Sequence, residues 1–105
     1  GSPYDLAAAA LGEVDAEARA RGVRVGAELS SSLPAIRSRG DREVRALERL
    51  LRCAIRAASA GDEVELGARR ARGHVAFSVS LAGSAGRARE RVAMLVPLAA
   101  RGLLE

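Results

Sequence analysis

The stretch "DREVRALERLLRCAIRAASAG", Asp41 to Gly61, decides how the rest of the chain is read. Val44, Leu47, Leu51, Ala54 and Ala58 recur three and four residues apart, and Leu50 and Ile55 widen them into one apolar stripe. Asp41 is placed to cap the N-terminus of this helix, Glu43 sits in its first turn, and "SAGD" ends it. Downstream, "EVELGARRA" (63–71) and "HVAFSVSLA" (74–82) read as two strands joined at "RARG", most simply as an antiparallel hairpin. In the second of them Val75, Phe77, Val79 and Leu81 share one face, while Ala76, Ser78 and Ser80 share the other.

Upstream, "PYDLAAAALGEVDAEARARG" predicts a helix over about 5–21, with Asp5 as candidate N-cap. Leu6, Ala10, Val14 and Ala18 keep its helical period, and Gly22 closes it. "VRVGAEL" (23–29) alternates as a half-buried strand, "SSSLP" is loop, and "AIRSRG" is a short strand or extended segment. After "GSAG" the pattern predicts a last helix over about 87–104, kinked or split by Pro97. The fold class expected is α/β, an α+β two-layer sandwich. A mixed, mainly antiparallel sheet of three to five strands would be covered on one face by about three helices. Residues 4–105 read as a single domain, and residues 1–3 as a tag remnant or lead-in.

Composition narrows the function classes. Of the 105 residues, 49% are hydrophobic and 29% charged, which describes a folded domain rather than a disordered chain. Tyr4 and Phe77 are the only aromatic residues, so the core must be built from Ala, Leu, Val and Ile. All the basic residues are arginine, and the net charge is +4. The arginines alternate with acids in "DAEARARG", "DREVRALER" and "GRARERV", as on solvated helix faces. Two aromatics are too few for single-strand stacking, and no helix-turn-helix or zinc pattern stands out, so nucleic acid is not the expected partner. One cysteine and one histidine make neither a disulfide nor a zinc site, and no metal is expected. No apolar run is long enough to cross a membrane, no signal peptide stands out, and a cytoplasmic location is expected.

The order and punctuation of these elements resemble the catalytic ATP-binding domain of bacterial sensor histidine kinases, the GHKL or Bergerat fold. The segment "YDLAAAALGEVDAEARARGVRVGAEL" resembles the family's opening turn, helix and strand. The run from Asp41 through "HVAFSVSLAGSAG" resembles its N-box helix, its hairpin and the strand leading into the DxGxG loop. The likeness covers nearly the whole chain and rests on pattern and spacing more than on signature residues.

The resemblance also implies which contacts are missing. The family's "L-x-N-L-L-x-N-A-I" falls on Leu47 to Ile55, keeping the hydrophobic frame and the Ala-Ile pair. Arg49 replaces the first Asn, and Cys53 replaces the second, which in the family holds the magnesium ion. Magnesium prefers hard oxygen ligands. Leu81 stands where the family's Asp accepts the adenine amino group, and only Gly83 of that loop keeps its place, with Gly86 one position late. A long ATP lid, a second glycine-rich box opening a helix, and two further strands would follow in the family. Here "RARERVAMLVPLAARGLLE" follows.

The expectation is therefore a non-catalytic module on a histidine-kinase ATPase scaffold, with no cofactor, no catalytic residue and no phosphoacceptor segment. It would act through a protein partner in signalling or transcription control. Homodimerisation through exposed apolar residues of the first or last helix is also expected. Candidate partner-binding residues are Arg49, Arg52 and Arg56 on one flank of the second helix, with Leu95 and Leu98 near the C-terminal end. Their plain reading is a solvated flank paired with Glu43 or Glu48, and apolar residues docked on the domain's own sheet. Cys53 and His74 read most simply as a packing residue and a structural or incidental one. The alternatives are a nucleotide or small-molecule binder with a non-standard site, a small basic nucleic-acid binder, and an excised piece of an active kinase.

Overall fold

The computed structural model describes residues 1–37, 41–83 and 90–99. Helix α1 spans Pro3–Ala20, strand β1 Arg24–Leu29 and helix α2 Arg42–Ala57. Strands β2 (Glu63–Ala71), β3 (His74–Ala82) and β4 (Glu90–Pro97) follow. The sheet order is β1-β2-β3-β4, with β1 parallel to β2 and the other two pairings antiparallel. The sheet is mixed and mainly antiparallel, as expected.

Each helix has a local cause. Ser2, not Asp5, caps α1: its hydroxyl accepts from the Tyr4 and Asp5 amides, and Pro3 takes the first helical position. Asp5 sits in the first turn, where its charge suits the helix N-terminus. Asp41 occupies the N-cap position of α2 without a side-chain cap bond. Leu6, Ala10, Val14 and Ala18 of α1 and Leu47, Leu51 and Ile55 of α2 are buried. They pack with Val64, Leu66, Val75, Phe77, Val79 and Val96 into one core between helices and sheet. Each large aliphatic or aromatic side chain buried there contributes roughly 1.5–3 kcal/mol. A core so rich in alanine gains less per position.

The hairpin register pairs Ala71 with His74 and Val64 with Leu81. The turn is Arg72-Gly73, and Gly73 has φ +73, a conformation that side-chain-bearing residues rarely adopt. Tyr4 ties α1 to the connection after β1: its hydroxyl donates to Ser30 O at 2.7 Å and accepts from the Leu33 amide at 2.9 Å.

The C-terminal segment differs from its expected helix. Residues 90–97 form β4, so two helices rather than three cover the sheet among the described residues. Val92, Met94 and Val96 alternate and stand opposite Val79, Phe77 and Val75. That period of two satisfies the exposed edge of β3, which a helix would have left unpaired. Pro97 ends the strand rather than kinking a helix. The remaining parts of the expected helix, 87–89 and 98–104, are residues 98 and 99 beyond the strand and positions outside the described set.

A capping segment follows from the extended stretch after "SSSLP". The Arg37 amide donates to Pro97 O at 2.8 Å, and the Ala99 amide donates to Ala35 O at 3.2 Å, so residues 35–37 run antiparallel to 97–99. Ile36 between them is buried in the core.

Candidate functional site

Both helices lie on one face of the sheet, and the seam between α2 and β3 leaves a groove. Leu50, Cys53, Ala54 and Ala57 of α2 form one wall; Val79 and Leu81 of β3 and Val92 of β4 form the other. Helical spacing explains the first wall. Leu47, Leu51 and Ile55 point straight into the core, and Leu50, Cys53, Ala54 and Ala57 lie beside that stripe, toward the β4 side. Strand alternation explains the second, since Val79 and Leu81 share the inward face with Val75 and Phe77.

Two positions that the family resemblance assigns to nucleotide contacts, Cys53 for the metal and Leu81 for adenine, thus meet in one groove. Its volume is about 150 Å³. Pockets that enclose small organic ligands usually run to roughly 300 Å³ or more. None of the seven described lining side chains carries an oxygen, so the hard donors that magnesium prefers are missing from these described walls. Among the described residues, no three His, Cys, Asp or Glu side chains come together as a metal site.

Arg49, the other substituted N-box position, lies outside the groove. It faces two shallow clefts on the outer side of α2, one shared with Asp41, Arg42 and Arg45 and the other with Glu48, Arg52 and Arg56. Arg52 and Arg56 are engaged inside the molecule. Glu17 of α1 accepts from Arg56 Nε at 2.7 Å and from Arg52 Nε at 3.3 Å. Arg52 also donates to Glu48 Oε1 at 2.9 Å and to the Glu13 carbonyl at 3.2 Å. The Arg56 hydrogen bond, with the Arg56 and Arg21 charges and the Arg52 bond behind it, holds the Glu17 carboxyl below its usual value, against a smaller opposing effect of desolvation. The same bond raises Arg56. Glu48 is the partner that the helix spacing suggested for Arg52; Glu17 comes from another element, and no local pattern marks it.

The remaining candidates are scattered. Leu95 is 59% exposed on the sheet face away from the helices, opposite Ala76. Leu98 is half-buried beside the core and pairs with Ile36. Gly83 follows β3 directly, and Gly86 lies outside the described residues. Cys53 is an exposed free thiol at the groove rim. His74 Nδ1 donates to its neighbour Arg72 O at 3.0 Å, a local turn contact. Val92 is a groove residue that the sequence pattern hides, since that position is expected on a helix.

The connection from β3 to β4 decides the comparison with the kinase scaffold. Only residues 83–89 separate Ala82 from Glu90, too few for a lid and a further helix, and the next strand pairs directly with β3. About four fifths of the chain overlays on solved kinases. The fold is that of a histidine-kinase catalytic domain. A histidine kinase from Burkholderia phymatum STM815 superposes with a TM-score of 0.72 at 21% identity, over 80% of this chain and 39% of that one. The catalytic domain of histidine kinase ThkA superposes with a TM-score of 0.71 at 16% identity, over 79% of this chain and 55% of that domain. ThkA in its complex with the response regulator TrrA gives 0.70, over 25% of that chain. No protein-family model matches the sequence, and no curated protein does. The chain therefore spans well under two thirds of each of these kinases. Among its described residues no helix is long and apolar enough to cross a membrane.

Proposed function

We propose that this histidine-kinase-like domain is a non-catalytic module. Its nucleotide site has been replaced by an apolar groove, and it acts by binding a protein in bacterial signalling or transcription control, in the cytoplasm. One observation carries the reading: Cys53 and Leu81 sit together in a groove of about 150 Å³ whose described lining side chains carry no oxygen. The short β3–β4 connection supports it, because it has no length for a lid. The scaffold needs only apolar periodicity, whereas phosphotransfer needs a few polar groups at fixed points.

Thermal unfolding with magnesium and ATP tests the loss of the nucleotide. A ligand at 100 times its dissociation constant adds about 2.7 kcal/mol of stability. In a domain of this size each kcal/mol moves the midpoint by roughly 4–8 °C. The expected result is an unchanged midpoint at millimolar Mg·ATP, and a saturable rise overturns the reading. The partner class is a response regulator, by analogy with the ThkA complex. Calorimetry against purified receiver domains from the same genome tests that part, and heat of binding to none of them overturns it.

A further inference from the structure

Arginines and acids alternate along α2 in the sequence, yet the helix sorts them. At 3.6 residues per turn, Arg42, Arg45, Arg49 and Arg56 fall within a wedge of about 60° on the side opposite the core, and all four are exposed. Glu43 and Glu48 lie off that wedge and are half-buried. Arg56 is held by Glu17 at 2.7 Å. Arg45 and Asp41 approach only to 4.0 Å, with both side chains largely in solvent, where such a pair contributes little. Among the described residues no carboxylate pairs with Arg42 or Arg49.

This row borders the apolar groove. Around the helix the arginines are followed by Ala46 and Cys53, and then by Ala57 and Leu50, about a quarter turn away. Cys53 belongs to both surfaces. It lines the groove with Leu50 and Ala57, and the outer cleft with Arg45, Arg49 and Arg56. Only small side chains separate the charges from the groove, so a single segment can lie across both.

The geometry points to an acidic amphipathic helix of a partner protein as the occupant of this surface. Its carboxylates pair with Arg42, Arg45 and Arg49, and an apolar side chain from its adjoining face enters the groove of about 150 Å³. Carboxylates three and four residues apart on one helix repeat at the spacing of these three arginines. Nucleic acid fits less well. Duplex-binding proteins commonly neutralise about 6–10 phosphates, more than this row offers. A phosphate backbone would also leave the apolar groove uncovered. The docking presupposes the protein-binding role proposed above, and adds to it a surface and the chemistry of the partner.

Fluorescence anisotropy with a labelled helical peptide of about 18 residues, ~27 Å long, reads the docking. The peptide carries Glu along one face and Leu along the adjoining one, and a second peptide has the same composition in scrambled order. Saturable binding of the first below about 1 mM is expected, weakening as salt rises, with the scrambled peptide at least about tenfold weaker. Arg42→Glu with Arg49→Glu breaks no ion pair among the described residues, so circular dichroism is expected to stay unchanged while binding weakens about tenfold or more. Ala57→Glu, at an exposed groove position, is expected to weaken binding comparably. Wild type that shows no saturation up to about 1 mM overturns the proposal. So does equal binding of the scrambled peptide, tighter binding of a DNA duplex at the same salt, or indifference to either variant. None of these outcomes alters the Mg·ATP melt, which tests the lost nucleotide site separately.

Discussion

Cys53 on α2 and Leu81 on β3 wall the same groove, although the chain passes through a whole hairpin strand between them. The family resemblance gives one to the metal and the other to adenine on spacing alone. Restoring the family's side chains is therefore a direct probe. Cys53→Asn with Leu81→Asp returns two polar contacts but neither the space nor the lid. Thermal unfolding of this double variant is expected to show no rise with Mg·ATP. Leu81→Asp alone is expected to lower stability by about 2 kcal/mol in urea melts, because it places a carboxylate against Val79, Val92 and Leu50.

Glu17 joins the two helices through Arg52 and Arg56. Its carboxyl lies below the ordinary value in the folded chain, chiefly through the Arg56 hydrogen bond. A depressed carboxyl stabilises the fold at pH above its unfolded value, near 4.5, and that contribution is lost as the pH falls through the folded value. Glu17→Gln is expected to flatten this part of the pH–stability curve and leave the neutral-pH fold intact. Chemical melts between pH 3 and pH 7, taken as about the range over which a carboxylate titrates, check the sign. A variant curve that keeps the wild-type slope would contradict it.

Phe77 is the largest fully buried side chain and the only aromatic ring in the core. Phe77→Ala is expected to cost roughly 3–5 kcal/mol, and Leu51→Ala roughly 2–5, by urea denaturation. In so small a domain either loss approaches the whole stability.

Much of this was legible in the sequence. The stripe from Val44 to Ala58 and the alternation through Val75, Phe77 and Val79 report side chains that a buried face demands, and the elements stand where those patterns put them. β4 was not, because "VAMLVPLAA" offers both periods: Leu95, Val96 and Leu98 look helical, while Val92, Met94 and Val96 alternate. The open edge of β3 breaks the tie, and that edge exists only once the sheet is formed. The cap on α1 shifted to Ser2 because Pro3 fits the first helical position, a local signal that Asp5 obscured. Cys53 and Leu81 are candidates through the family's spacing alone. Val92 depended on the strand, and Glu17 on how two helices pack, which no window of sequence contains.

The proposed function requires that the groove between α2 and β3 takes no nucleotide. Backbone amide resonances of Cys53, Ala54, Val79 and Leu81, followed by NMR while Mg·ATP is added to millimolar concentration, test it at the site itself. These four resonances are expected to stay in place. Saturable shifts confined to them would contradict it.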